Sequence, residues 1–473
     1  MNYYSTRSAL SVSDPEAVLL GLAPDGGLFV DPTLGERVFD WEKCLTLGDT
    51  DMMTAVLSYL LPEFKNMGKL VERAYRNKFE NDCISPLVKC REQYILELYH
   101  GPTSAFKDVA LSMLPQLLSA ARKLLGKDGD TLILTATSGD TGKAALEGFH
   151  DVAGTRIVVF YPDGGVSAVQ QMQMVTQEGG NVRVCAVRGN FDDCQRGVKE
   201  AFAALSEKEL SSANSINIGR LAPQVMYYFS AYAQLLQQGA IEHGEKIEFV
   251  VPTGNFGDIL AGYFAKRMGL PISRLICASN ENRILSDFIH TGVYDSRRPF
   301  LRTDSPSMDI LISSNLERLL YYAAGSEKVK AWMDSLAETG VYILDAPTLA
   351  VIQENFAADW ATQAECDAAC AKAWKEENYL CDPHTAVALA VSEKIPAVGK
   401  RVVLSTASPY KFPGAVLRAL GGNAEGDEFQ KMKTLEALTG VPIPKNLAGL
   451  QERPVLHHDV IERSGIISYL SGK

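Results

Sequence analysis

Lys107 stands between Phe106 and Asp108, after the turn-forming run Gly101-Pro102-Thr103-Ser104 and the apolar stretch Tyr94-Ile95-Leu96. A solvated lysine needs no such setting. A lysine whose amine must attack a carbonyl gains from desolvation, which favours its neutral form. Three other segments carry complementary chemistry: residues 137–142 (Thr-Ser-Gly-Asp-Thr-Gly), 254–258 (Gly-Asn-Phe-Gly-Asp) and 405–408 (Ser-Thr-Ala-Ser). The two glycines of 254–258 let backbone N–H groups turn toward an anion, and a following helix adds partial positive charge. The hydroxyls and backbone donors of 137–142 suit a small carboxylate at a helix start, with Asp140 or a nearby amide within reach of a ring oxygen. A hydroxyl at Ser405-Thr406 offers a pyridine nitrogen an uncharged partner. Lysine, ring, phosphate and substrate carboxylate each find a partner, as a pyridoxal phosphate (PLP) site requires.

Each segment has an ordinary reading beside this one. Residues 254–258 also suit a strand-to-helix turn capped by Asp258, and 137–142 an N-cap followed by surface residues. Lys107 also suits a surface ion pair with Asp108. The spacing of 254–258 lacks both the GxGxxG of dinucleotide binders and the Gly-Lys-Ser/Thr ending of a nucleotide P-loop. The similar stretch Arg188-Gly-Asn-Phe-Asp-Asp193 has aspartate in place of the second glycine, and its acids would repel phosphate.

The elements that must position these residues recur as one unit: a β-branched run, a short polar or Gly-rich loop, then a helix. It appears at 131–147, 156–171, 182–205, 247–268 and 401–420. Such alternation predicts mainly parallel sheets covered on both faces, with the loops gathered at the carboxyl ends of the strands. At 473 residues the chain exceeds one core, so two domains are expected beside a helical, turn-rich amino-terminal segment. The boundaries expected are 1–92 for that segment, 93–215 for a smaller α/β domain, and 216–473 for a larger one ending in an extended wrap.

A formal charge of −11 argues against a nucleic-acid or anionic-membrane partner. No apolar run reaches the ~20 residues of a membrane helix. The nine scattered cysteines contain no CxxC pair, which suits a reducing, cytoplasmic compartment. Cys366 and Cys370, four apart, read as thiols on a helix, and no metal site is expected. The oligomeric state expected is a monomer or small homo-oligomer.

The stretch His100-Gly-Pro-Thr-Ser-Ala-Phe-Lys-Asp108 resembles the cofactor-lysine motif of threonine synthases. Residues 136–142, 252–258 and the Thr406 loop are similar to that family's other PLP contacts. The likeness continues through Tyr4-Ser-Thr-Arg7, Asp25-Gly-Gly-Leu28, Pro306-Ser-Met-Asp309, Ser313-Ser-Asn-Leu-Glu-Arg318 and Asp382-Pro-His-Thr385. It points to the longer bacterial and fungal branch, and implies an α/β fold type II PLP enzyme with two doubly wound domains.

The resemblance further implies that Lys107 carries the Schiff base beside Phe106. Gly254, Asn255, Phe256, Gly257 and Asp258 would hold the cofactor phosphate, Thr406 the pyridine nitrogen and Asp140 the ring oxygen. Thr137, Ser138 and Thr141 would meet the substrate carboxylate, while Lys143, Ser167 and Arg220 are candidates for the substrate phosphate. Where relatives commonly have Asn-Trp-Ala-Arg, this chain has Asn217-Ile-Gly-Arg220, which keeps the arginine and loses an aromatic wall. The implied reaction converts O-phospho-L-homoserine and water to L-threonine and phosphate. The alternatives are a phospho-lyase releasing 2-oxobutyrate and a silent homologue that only binds.

Overall fold

Two mainly parallel sheets meet near Lys107, and the chain crosses between them more often than its sequence order suggests. The computed structural model describes residues 1–80, 83–137, 139–205 and 209–471. The larger sheet has six strands, ordered Phe356–Trp360, Ile272–Ser279, Ile247–Pro252, Arg401–Ser405, Gln93–Glu97 and Leu87–Cys90. Only the last pairing is antiparallel. The smaller sheet is parallel throughout, ordered Asp459–Glu462, Val182–Arg188, Thr155–Pro162, Thr131–Ala136 and Leu210–Ser212. Strands Thr131–Ala136 and Ile247–Pro252 are buried at every residue, as expected when helices cover both faces.

Sheet membership departs from the boundaries expected at 93 and 216. Gln93–Glu97 pairs in parallel with Arg401–Ser405, with Ser405 opposite Glu97, so it belongs to the larger sheet. Asp459–Glu462, expected in a wrap on the larger domain, extends the smaller sheet through the 185–188 end of its neighbour. Both pairings join residues hundreds of positions apart, and no local pattern encodes them.

This order places the chemistry. Three adjacent parallel strands, Ile247–Pro252, Arg401–Ser405 and Gln93–Glu97, release from their carboxyl ends the loops that hold Gly254, Thr406 and Lys107. The smaller sheet releases Asp140 and Ser167 after Thr131–Ala136 and Thr155–Pro162. Helices Lys107–Leu124 and Asp140–Phe149 cross where a Cβ on Gly148 would collide with the carbonyl oxygen of Leu111, so the glycine sets how closely the helices approach. The amino-terminal segment contributes the antiparallel strands Asn2–Ser5, Ser11–Ser13 and Phe29–Val30, with helices Asp14–Leu20, Asp49–Leu60 and Met67–Tyr75. Among the described residues, no helix is long and apolar enough to cross a membrane. All nine cysteines are free thiols, Cys366 and Cys370 among them on the Gln363–Glu377 helix.

Candidate active site

Lys107 opens its helix, and the turn before it is built to aim it. Asp108 points away from the lysine and back along the chain, accepting from the Thr103 N–H at 2.8 Å and the Thr103 hydroxyl at 2.5 Å. Burial pushes the Asp108 carboxyl up to about 6, against these hydrogen bonds. Ser104 holds a left-handed backbone (φ 59°), and the Phe106 N–H donates to the Thr406 carbonyl at 2.9 Å. An antiparallel bridge between Ala105 and Ala407 completes the contact of the two segments. Thr406 therefore sits one residue across from Lys107. Its hydroxyl has no hydrogen-bond partner among the described residues and is free for a ligand.

The amine of Lys107 lies 4.6 Å from the centre of the Phe106 ring. Burial pushes it down to about 8; Asp140 and Asp108 oppose this, and Lys411 and Arg220 reinforce it. At pH 7 about one amine in ten is then neutral, against about one in several thousand for an ordinary lysine.

The 254–258 loop works differently from its sequence pattern. The left-handed residue is Phe256 (φ 61°), whose ring is held in the core 5.6 Å from Phe356, not either glycine. Gly254 is needed for close approach, because a Cβ there would lie 2.7 Å from the Ser307 carbonyl oxygen. The Ser313 hydroxyl donates to the Gly254 carbonyl at 2.7 Å, and the Asn315 N–H donates to the Asn255 carbonyl at 3.1 Å. With these carbonyls held from behind, the N–H groups at the start of the Gly257–Arg267 helix are left for an anion. The Asp258 carboxyl turns inward, accepting from Tyr227 at 2.5 Å and Tyr228 at 3.1 Å, so only its backbone can serve that anion. Burial lifts this carboxyl to about 6, against the two tyrosines and Lys107.

Arg220 is a buried cation with no carboxylate partner among the described residues. It is 3% exposed, its Nη1 donates to the Ala213 carbonyl at 2.6 Å, and its buried Nε has no partner. Burial alone pushes its guanidinium down to about 10. A buried, unpaired guanidinium beside Lys107 calls for an anion. Buried lysine and backbone cradle together fit a phosphate-bearing aldehyde such as PLP, and the arginine leaves room for a second anion.

The remaining candidates are placed less directly. The Thr137 hydroxyl accepts from the N–H groups of Gly139 (3.0 Å) and Gly142 (2.9 Å), which shapes the loop and commits the group. Ser138 lies outside the described residues. Thr141 is half-buried in the first turn of the Asp140–Phe149 helix. Ser167 caps the Ala168–Val175 helix through Gln170. Lys143 is held by Glu147 at 3.1 Å and by Gln177, so its charge is paired inside the smaller domain. Asp140, expected at a ring oxygen, faces Lys411 at 2.7 Å and Gln170 at 2.9 Å through one carboxylate oxygen. His384 receives the Ser307 N–H on Nε2, and its Nδ1 therefore points a proton at Asp382, 2.6 Å away. That fixes the 306–309 segment behind Gly254.

Lys411 was not anticipated, although Pro409-Tyr-Lys-Phe-Pro413 surrounds a lysine with apolar groups, the same sign that marks Lys107. Gln170 carried no signal of its own.

Fold and site define a PLP-dependent enzyme, and the sequence pattern described as "Pyridoxal-phosphate dependent enzyme" matches residues 82–407. A second pattern, "Threonine synthase, C-terminal", matches residues 385–463, and the chain belongs to the threonine synthase family. It is 36% identical to the threonine synthase of Saccharomyces cerevisiae, covering 92% of this chain and 93% of that one. It is also 36% identical to human threonine synthase-like 1 over 95% of its own length, and spans 62% of that longer protein. The PLP-bound threonine synthase structure from Brucella melitensis superposes with a TM-score of 0.89 at 38% identity, covering 100% of this chain and 99% of that one.

Proposed function

We propose that the chain is a cytoplasmic threonine synthase, acting at the last step of threonine biosynthesis. It would convert O-phospho-L-homoserine and water to L-threonine and phosphate by γ-elimination followed by addition of water at Cβ. The observation that carries the reading is Arg220, a buried guanidinium without a carboxylate partner, beside a lysine whose amine burial drives toward neutrality. A substrate with a phosphate leaving group supplies the missing anion.

PLP, when bound, supplies the electron sink that makes protons on carbons next to the substrate nitrogen removable. The neutral Lys107 amine would remove the proton at substrate Cα, pass it to the phosphate group that is to leave, and, neutral again, remove one at Cβ. Arg220 holds the departing phosphate at Cγ by charge-assisted hydrogen bonds. The N–H groups of 254–258 would hold the cofactor phosphate, and the Thr406 hydroxyl would offer the ring nitrogen an uncharged partner. The start of the Asp140–Phe149 helix, with Thr141 in its first turn, orients the substrate carboxylate by its N–H groups and partial charge. The Lys107 ammonium would return its proton to Cγ, water would add its hydroxyl at Cβ, and a proton of that water would return to Cα, which completes threonine.

The test is direct. Purified protein loaded with PLP is given O-phospho-L-homoserine, and products are followed by NMR. Threonine and phosphate in equal amounts are expected. Phosphate with 2-oxobutyrate would assign the lyase alternative, and no turnover would leave a binding protein.

A further inference from the structure

Two opposite charges sit wholly inside the protein next to Lys107, and the proposed reaction makes no use of either. Lys411 and Asp140 are 1% and 5% exposed, and their charged atoms are 2.7 Å apart. Lys411 follows the Arg401–Ser405 strand of the larger sheet, whereas Asp140 begins a helix of the smaller sheet. Lys411 also donates to the Thr103 carbonyl at 3.0 Å, in the turn that aims Lys107. Gln170 donates to the same Asp140 oxygen at 2.9 Å. A buried ion pair is poor evidence of stability, since well-packed apolar groups serve as well or better. Its presence here needs another reason.

That reason is competition for Asp140. A carboxylate alone beside Lys107 would pair with it and hold it as an ammonium, which cannot attack a carbonyl. We propose that Lys411 is a positioning residue that occupies Asp140, and so leaves the Lys107 amine free to lose its proton and take up the cofactor. The proposal rests on Lys107 being the PLP-binding lysine. Asp140, Lys411, Arg220, Asp108 and Asp258 are the charged groups that act on Lys107 from the elements around it. Only Lys411 and Asp140 are paired with each other. Asp140 itself stays ionised: burial alone would raise its carboxyl, but Lys411 and Lys107 hold it well below the usual range.

The test follows PLP capture by the full-length chain stripped of cofactor, read as the growth of visible absorbance between about pH 6 and pH 10. The wild-type rate should rise with a midpoint near the Lys107 value of about 8. In Lys411→Met the midpoint should move up by about one pH unit, slowing capture at neutral pH about tenfold. In Asp140→Asn it should move down. The double variant should return toward wild type, a rescue that a purely structural role does not produce. Lys411→Arg, which keeps the charge, should stay near the wild-type midpoint.

Equal midpoints in all variants, or shifts of the same sign in Lys411→Met and Asp140→Asn, overturn the proposal. Should Lys411→Met fail to fold, Asp140→Asn decides alone, and an unmoved midpoint refutes the proposal. A wild-type chain that never colours with PLP overturns the cofactor role of Lys107 as well, which separates the two failures.

Discussion

At the scale of single residues, the site divides into groups that are aimed and groups that are committed. Among the described residues the Nε of Arg220 has no partner and Lys107 has no ion pair, while Thr137, Ser167 and Lys143 are engaged in caps or ion pairs. Lys107→Ala should purify colourless in the presence of PLP and lose at least about 10²–10⁴-fold in turnover. A visible band that survives the substitution refutes the assignment. Arg220→Met makes a two-sided prediction. Removing a buried, unpaired charge should leave the cofactor-free protein as stable as wild type or more so, by up to about 1–4 kcal/mol. The same change should cut kcat/KM about 10–100-fold through the lost charge-assisted hydrogen bonds. Inorganic phosphate should then raise the Tm of wild type more than that of the variant, and equal shifts would place the anion elsewhere. Lys107 stood out in the sequence only jointly with 137–142, 254–258 and 405–408, because its neighbours alone also suit a surface ion pair with Asp108. The inward turn of the Asp258 carboxyl could not be read there, since Tyr227 and Tyr228 lie on a different helix.

At the scale of elements, the β-loop-α units were legible because β-branched runs and Gly-rich loops are local signals. Thr131–Ala136, Val182–Arg188, Ile247–Pro252 and Arg401–Ser405 fall where the pattern puts them. The roles inside the 254–258 loop were not legible. Its sequence presents two glycines as equals, yet the structure asks different things of them. A Cβ on Gly254 meets the Ser307 carbonyl oxygen at 2.7 Å and the Met308 Cα at 3.2 Å, backbone atoms that cannot rotate away. A Cβ on Gly257 meets only the Asn315 side chain, at 3.4 Å. Gly254→Ala should therefore push the loop off its support at about 1–3 kcal/mol, weakening PLP binding by about tenfold or more. Gly257→Ala should stay within about threefold of wild type. Equilibrium titration with PLP checks both, and equal losses would mean that backbone approach at 254 is not what shapes the loop.

At the scale of the whole molecule, the amino-terminal segment is joined to the 254–258 loop by a continuous chain of buried and part-buried polar contacts. Glu317 accepts from the Thr6 hydroxyl at 2.5 Å and from Arg7 at 2.9 Å and 2.8 Å. Its neighbour Arg318 is fully buried and donates to the carbonyls of Phe29 at 2.9 Å and Ile216 at 2.6 Å, while also binding Asn315. Asn315 in turn holds the Asn255 carbonyl. The motifs at 4–7 and 313–318 thus share one task, which single-segment reading could not reveal because their partners are some 300 residues apart. Glu317→Gln keeps the shape and removes the charge that binds Arg7 and Thr6. Arg7 is partly exposed, so the cost should be about 1–3 kcal/mol, below that of breaking a fully buried pair. If the support is continuous, part of this cost reaches residues 254–257, and the Kd for PLP should rise about three- to tenfold. The chemistry at Lys107 is untouched, so kcat at saturating PLP should remain within about twofold of wild type. Fluorescence titration gives the Kd and a saturated steady-state assay gives kcat. A lowered Tm with an unchanged Kd would show that the segment folds onto the body without holding the cofactor loop in place.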